Sequence, residues 1–384
     1  MPQIQKKISP YLNNYGQIIL QAKYNQKNLK KEFEVIKSVI PESKSLIREN
    51  EEFLSLFKNY ENFENFFNYI EFYKIQNIKN NYKKLEYLFF RYRFNKASNN
   101  KEIYSFPPYL LIEPVSACNL KCPMCFQIDK SFTRKPFMGV MKMDLFKKVV
   151  DEANELGVGA ITLASRGEPT MHPKLHEMLE YISNKENIYE LKINTNASFL
   201  TENLCHQIFK HKVDTVVISA DHYEKDSFEK LRKGSNFEKI LENVKMLNEI
   251  RNKYYNNNET ELRVSGVDYF KNLNKEKFYE FWKQYADNVS ATAAVERWDT
   301  YNNSPDPNIT SPCSFLWDRM YVWFDGKCNP CDADYKSYLS YGDVSKNTIK
   351  EVWNGSKLKE LREKHLNLKR SEINPCDRCG INFQ

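Results

Sequence analysis

From residue 109 onward the chain alternates short apolar runs with amphipathic ones, and this rhythm constrains its fold more than any other feature. Segments 109–113, 160–164, 190–195, 214–220, 262–267 and 289–295 read as strands. Segments 143–156, 173–183, 201–210, 237–254 and 275–285 carry apolar residues at helical spacing and read as helices between them. Repeated strand–helix units imply an α/β fold, a parallel sheet with helices outside it. In such sheets functional groups collect on the loops that follow the strand C-terminal ends. The loop after the first strand is rich in cysteine.

The flanks keep a different rhythm. Residues 1–105 contain one glycine, Gly16, and apolar side chains at helical spacing, such as Phe53, Leu54, Leu56 and Phe57, then Phe63, Phe66, Phe67, Tyr69 and Ile70. Pro41 breaks this pattern, and Glu42 and Ser43 are expected to open the next helix. The segment reads as a helical extension whose aromatic faces pack on the main domain, with docking of a partner or substrate as the alternative. Asn302, Asn303, Ser304, Pro305, Asp306 and Pro307 form a linker-like stretch. Beyond it lies a cysteine-rich tail with short strand-like pieces and an expected helix at 349–361. A module this small gains much from a metal staple. The expected domains are therefore 1–105, 106–300 and 301–384.

Cys118, Cys122 and Cys125 stand in the run Cys-Asn-Leu-Lys-Cys-Pro-Met-Cys-Phe. Three thiolates can hold three irons of a four-iron cubane and leave the fourth open to a substrate or cofactor. Ferredoxin clusters and structural zinc sites close with four ligands instead. The chain starts with no apolar leader, and no run approaches the ~20 apolar residues that span a bilayer. A soluble, cytoplasmic protein without membrane partners is the expectation, and cysteines there serve as ligands or reactive thiols. Cys205, on a predicted helix, stands apart from the other eight and reads as a buried apolar thiol. The net charge of +7 is spread along a Lys-rich chain, with no basic–aromatic stripe of the kind that binds nucleic acid.

The Cys-x3-Cys-x2-Cys triad followed by Phe126 resembles the signature of the radical S-adenosylmethionine (radical SAM) superfamily. Further matches follow in order over residues 109–255. Gly167-Glu168-Pro169 follows the second strand, and Thr195-Asn196 the third, with Ala197 where glycine is usual. Ser219-Ala220-Asp221 ends the fourth strand, and Leu231-Arg232-Lys233-Gly234 comes after it. The resemblance implies a partial (β/α)6 TIM-like barrel of the radical SAM type. It implies a [4Fe-4S] cluster on Cys118, Cys122 and Cys125, with S-adenosyl-L-methionine (SAM) on the open iron. Reductive cleavage of SAM would yield a 5′-deoxyadenosyl radical that takes hydrogen from substrate. Phe126 would flank the adenine, and Gly167, Glu168 and Pro169 would serve the SAM amine. Asn196 and Ser219 would bond ribose or carboxylate, and Arg232 the carboxylate. His172 reads as structural, and His222 as a side chain that could face the site.

The tail resembles the SPASM/twitch auxiliary-cluster module. Cys313, Cys331, Cys376 and Cys379 would supply four ligands to a second, auxiliary [4Fe-4S] cluster, with Cys328 as a bystander or an alternative to Cys331. The runs 321–326, 329–332 and 349–353 agree with that module. A four-cysteine zinc site is the competing reading of the spacing. A closed cluster would accept the electron left after hydrogen abstraction. The expected activity is dehydrogenation of a small polyol or sugar-like molecule, with flavodoxin or ferredoxin as reductant. The alternatives are a peptide-modifying enzyme, whose residues 1–105 would dock a precursor, and a non-catalytic iron–sulfur or zinc protein. Glu296, Asp299, Asp332 and Asp334 lie near the junction with the tail as candidate bases, and nothing in the sequence selects among them.

Overall fold

Strands β1 (Tyr109–Ile112), β2 (Ala160–Leu163), β3 (Glu190–Thr195), β4 (Thr215–Ser219), β5 (Glu261–Asp268) and β6 (Asn288–Ala293) pair in parallel, each with the next in the chain. The computed structural model describes residues 26–294 and 299–379. Side chains alternate across the strands. Ile161, Leu163, Leu191, Ile193, Val216, Ile218, Leu262 and Val264 enter the main core. The intervening Lys192, Asn194, Thr215, Ser219, Arg263 and Asn288 line a cavity on the other face. Residues 143–156 are a helix that buries Phe146, Val149, Val150 and Ala153 on one face. It stops at Gly157, whose φ of 76° suits glycine.

Helices α1 (Gln26–Ser38), α2 (Ser45–Arg48), α3 (Glu51–Ser55), α4 (Tyr60–Phe66), α5 (Tyr69–Asn77) and α6 (Asn81–Asn100) precede the sheet. The asparagines of this region start them. Asn50, Asn59, Asn68 and Asn80 each accept a backbone N–H as N-caps, and Glu71 completes a capping box with Asn68. The aromatic faces pack into a separate core that also takes in Ala160 and Tyr189, at the N-terminal ends of β2 and β3. Lys74 donates to Asp214 O (3.1 Å) and Thr215 Oγ1 (3.0 Å), and Arg93 to Gly157 O (2.6 Å). The helices therefore cover the N-terminal ends of the strands. Pro41 sits in a tight turn, Ile40–Glu42, and the next helix opens at Ser45 with Lys44 as its cap, two residues later than expected.

The tail is not detached from the sheet. Strand β7 (Met320–Val322) pairs in parallel with β1, and β8 (Lys327–Asn329) and β9 (Gly342–Asp343) follow antiparallel. The order is β6-β5-β4-β3-β2-β1-β7-β8-β9. The helix expected at 349–361 is two helices, Ile349–Trp353 and Ser356–Leu366. Gly355 between them is extended (φ −65°, ψ 155°), and Trp353 is held by a bond from its Nε1 to Tyr104 O (2.9 Å). Among the described residues no helix is long and apolar enough to cross a membrane.

Candidate cofactor and substrate site

Cys118, Cys122 and Cys125 follow the C-terminal end of β1 and line one cavity of about 1050 Å³. A turn from Cys125 N to Cys122 O (3.0 Å) brings the last two together. Burial pushes the free thiols up, Cys118 to about 11 and Cys125 to about 12. A thiophilic metal that takes the proton's place removes that cost, so the donor set fits an iron–sulfur cluster.

The other strand ends close around this loop. A Cβ on Gly167 would stand 2.2 Å from Val115 O and 2.5 Å from Ala117 O, so only glycine permits this approach. Glu168 N then donates to Ala117 O (2.9 Å). Burial raises the Glu168 carboxyl pKa, opposed by bonds from Thr170 Oγ1 (2.6 Å), Thr195 Oγ1 (2.7 Å) and Asn196 N (2.7 Å). One carboxylate thus fixes the loop after β3 against the loop after β2. Asn196 Nδ2 donates to Asn119 Oδ1 (2.9 Å) in the cysteine loop. Ala197, where glycine is usual, adopts φ 63°, the left-handed region that strains an L side chain. Arg232 pairs with Asp221 at 3.0 Å and lies close enough to Cys122 and Cys118 to act on their charge. Lys121 N donates to Lys233 O (2.8 Å) and seats that segment on the cysteine loop.

Gly167, Glu168, Asn196, Ser219 and Arg232 therefore share the cavity with the three cysteines. Phe126 and Pro169 are not among its lining residues. Phe126 stacks on Tyr335 (5.0 Å between centroids) and packs edge-on to Phe132, behind the loop. Pro169 is buried at the start of a tight turn. His172 is structural: its Nδ1 accepts from Lys174 N (3.1 Å), so Nε2 donates to Met141 O (3.0 Å). His222 accepts from Glu224 N and stacks on Tyr223, away from the cavity lining.

Two features escaped the sequence reading. Glu113 and Arg166 form a buried bidentate pair, Nε to Oε2 and Nη2 to Oε1 both at 2.6 Å, and Arg166 Nη1 donates to Tyr335 O (2.9 Å). The cavity face of the sheet is polar and charged, with Glu190, Lys192, Asn194, Glu261, Arg263 and Asn288 lining the cavity. A signal for the second was present, since Glu190-Leu191-Lys192-Ile193-Asn194 alternates polar and apolar residues.

In the tail, Cys331 lies within charge range of Cys313, Cys376 and Cys379, and Cys313, Cys331 and Cys379 pack around Phe315 and Ala333. Burial pushes Cys313 up to about 11 and holds Cys331 and Cys376 well above the ordinary thiol value. These four cysteines are neighbours. Cys328 is elsewhere: it sits in β8, 0% exposed in the main core, with Sγ turned to Gly326 O (3.7 Å). Cys205 is likewise buried in that core. Among the described residues no three His, Cys, Asp or Glu side chains stand at single-ion geometry. Of the candidate bases, Asp332 lines the cavity. Asp334 is occupied by Tyr301 Oη, Tyr338 N and Leu339 N. Asp299 turns the chain at φ 57°. Glu296 lies outside the described residues.

Comparison with known proteins matches residues 112–281 to the radical SAM superfamily and residues 313–380 to the SPASM iron–sulfur cluster-binding domain. A cofactor-modifying protein for tungsten-containing aldehyde ferredoxin oxidoreductase from Pyrococcus furiosus is 34% identical over 114 residues, 29% of this chain and 30% of its own. A cysteine-type anaerobic sulfatase-maturating enzyme from Clostridium novyi is 30% identical over 158 residues, 38% of this chain and 41% of its own. These alignments span less than half of either relative. Among solved structures, Streptococcus suis SuiB superposes with TM-score 0.51 at 15% identity, over 96% of this chain and 91% of that one. The structure of anSMEcpe with bound AdoMet superposes with TM-score 0.52 at 18% identity, over 71% and 88%. At these identities the likeness is one of fold.

Proposed function

The chain is a radical SAM superfamily enzyme with a C-terminal SPASM domain, and from that footing we propose that it removes hydrogen from a small hydroxylated molecule held inside its sheet. The observation that carries this reading is one cavity. It runs from Cys118, Cys122 and Cys125, past Glu168, Asn196 and Arg232, into a polar interior, and reaches Asp332 beside Cys331. A radical SAM domain binds a [4Fe-4S] cluster and SAM, and when bound these supply reductive C–S cleavage and the 5′-deoxyadenosyl radical.

The chain's own residues orient and shield. Glu168 holds the loops after β2 and β3 in register. Arg232, neutralised by Asp221, offers its remaining donors to a carboxylate at the cysteine end of the cavity. The N-terminal helices cover the N-terminal ends of the strands. Cys313, Cys331, Cys376 and Cys379 would hold the auxiliary cluster, whose chemistry there is electron acceptance. Its nearness to the same cavity favours oxidation of an alcohol to a carbonyl in a polyol or sugar-like substrate. Flavodoxin or ferredoxin would serve as reductant.

A second reading has its own support. Asn65, Asn68, Asn95 and Asn99, from the helical extension, also line the cavity. A peptide side chain entering past them would be modified instead. One relative matures sulfatases by name, and SuiB has been solved bound to its precursor peptide.

Anaerobically reconstituted protein with SAM and dithionite is expected to release 5′-deoxyadenosine, faster with a member of a polyol, sugar and aminocyclitol panel, and Cys122→Ala is expected to abolish release. Acceleration by peptides alone transfers the assignment to side-chain modification. No release from the wild type overturns both readings.

A further inference from the structure

The cations of the cavity wall almost all meet a carboxylate. Lys74, Arg91, Arg166, Lys192, Arg232 and Arg319 each meet a carboxylate at 3.3 Å or less. Arg263, on β5, makes no such pair among the described residues. Its Nη2 donates to Ser290 Oγ (3.1 Å), and its Nε is buried with no acceptor. Glu261 on the same strand feels the Arg263 charge without a direct ion pair, its oxygens being taken by Lys74 (3.3 Å) and Asn288 Nδ2 (3.2 Å).

Arg263 has a matching neighbour. Asn288 is its direct partner across the β5–β6 ladder, and both side chains face the cavity. The bond from Asn288 Nδ2 to Glu261 fixes the amide, because a carboxylate accepts and does not donate. Asn288 Oδ1 is left buried without a donor. The pair therefore presents a cationic N–H and, one strand away, a neutral oxygen, both buried and without a hydrogen-bond partner. Buried polar groups are nearly always satisfied, so two orphans side by side in a cavity wall mark a ligand's place.

We propose that Arg263 and Asn288 recognise the substrate through an oxyanion, carboxylate or phosphate, that carries an adjacent O–H or N–H. The guanidinium binds the oxyanion and Asn288 Oδ1 accepts from the neighbouring donor. This narrows the proposed substrate from a neutral polyol to an acidic one, and it rests on the same cavity. The opposite end, where Arg232 stands near Cys122 and Cys118, remains for the cofactor.

The test is titration calorimetry on reconstituted, SAM-saturated protein with three probes: D-glycerate, glycerol 3-phosphate and glycerol. At least one anionic probe is expected to bind saturably, and glycerol at least tenfold more weakly, about 1.4 kcal/mol. The preferred anion tells carboxylate from phosphate. Arg263→Gln is expected to weaken that anion tenfold or more, Arg263→Lys less, and SAM affinity is expected to hold in both. Equal binding of glycerol, no binding of either anion, or an unaltered anion affinity in Arg263→Gln overturns the proposal. So does a fall in SAM affinity, which would give Arg263 to the cofactor. If the variants do not fold, the wild-type comparison of anion with glycerol still decides. These titrations read binding without turnover, so they stand or fall apart from SAM cleavage.

Discussion

Arg166 carries a full charge where only 3% of its surface meets solvent, and Glu113, at 0%, is what allows it. The two parallel bonds at 2.6 Å and the third donor on Tyr335 O satisfy most of the guanidinium's needs, and Trp323 covers its face at 4.2 Å. Burying such a pair is costly, but stranding one partner is worse. Glu113→Gln is expected to destabilise the protein by about 3–5 kcal/mol, and Arg166→Met with Glu113→Leu by much less, because the double change leaves no unpaired charge. Denaturant unfolding of the two variants against wild type checks this. The pair was not legible in the sequence, because its members lie beyond the ends of different strands and neither belongs to a motif. Cys118, Cys122, Cys125 and the Gly167–Glu168 step were legible for the opposite reason. Their chemistry is written in consecutive residues, and Gly167 is specified by the carbonyls of Val115 and Ala117 that leave no room for a Cβ.

At the scale of elements, the strand–helix rhythm was readable because it is local: alternation sets each strand and apolar spacing each helix. The docking of the tail was not. Strand β7 is three residues, Met320–Val322, and it is placed by the free edge of β1, a property of the assembled sheet. A second tie joins the cysteine loop to the tail. Asp129 accepts from Tyr335 Oη (2.9 Å), pairs with Lys336 (2.7 Å) and accepts from Ser131 Oγ (2.7 Å). Burial pushes its carboxyl up, but these partners outweigh burial and hold it well below the ordinary range. A carboxylate depressed in the folded state adds stability above its unfolded pKa, about 4, and loses it as pH falls through the window beneath. Wild type is therefore expected to unfold at a higher temperature than Asp129→Asn at pH 7, with the gap closing as pH drops below about 4. Melting curves of both proteins across that range would reveal a constant gap if the tie were not ionic.

At the scale of the whole molecule, helices, sheet and tail all contribute to the wall of one cavity, the tail through Phe315, Arg319, Tyr321 and Asp332. The sequence left Cys328 and Cys331 as rivals, since they stand three residues apart and both follow the glycine turn at Gly326. The sheet separates them. Cys328 lies within β8 and points into the core, while Cys331 falls past the strand end, toward Cys313, Cys376 and Cys379. Strand alternation would allow the two on opposite faces, but only the pairing of β8 with β7 and β9 shows which face is core. Each cysteine therefore fails differently when changed to serine. Cys331→Ser would remove one of the four proposed cluster ligands, and its iron content after anaerobic reconstitution is expected to fall from about eight to about four per chain. Cys328→Ser places a hydroxyl in apolar surroundings at a cost of about 1–3 kcal/mol, and is expected to keep its iron. Iron loss from Cys328→Ser with retention in Cys331→Ser would reverse the assignment. Zinc in place of iron at the tail would leave the cavity without its electron acceptor and favour a redox-neutral reaction.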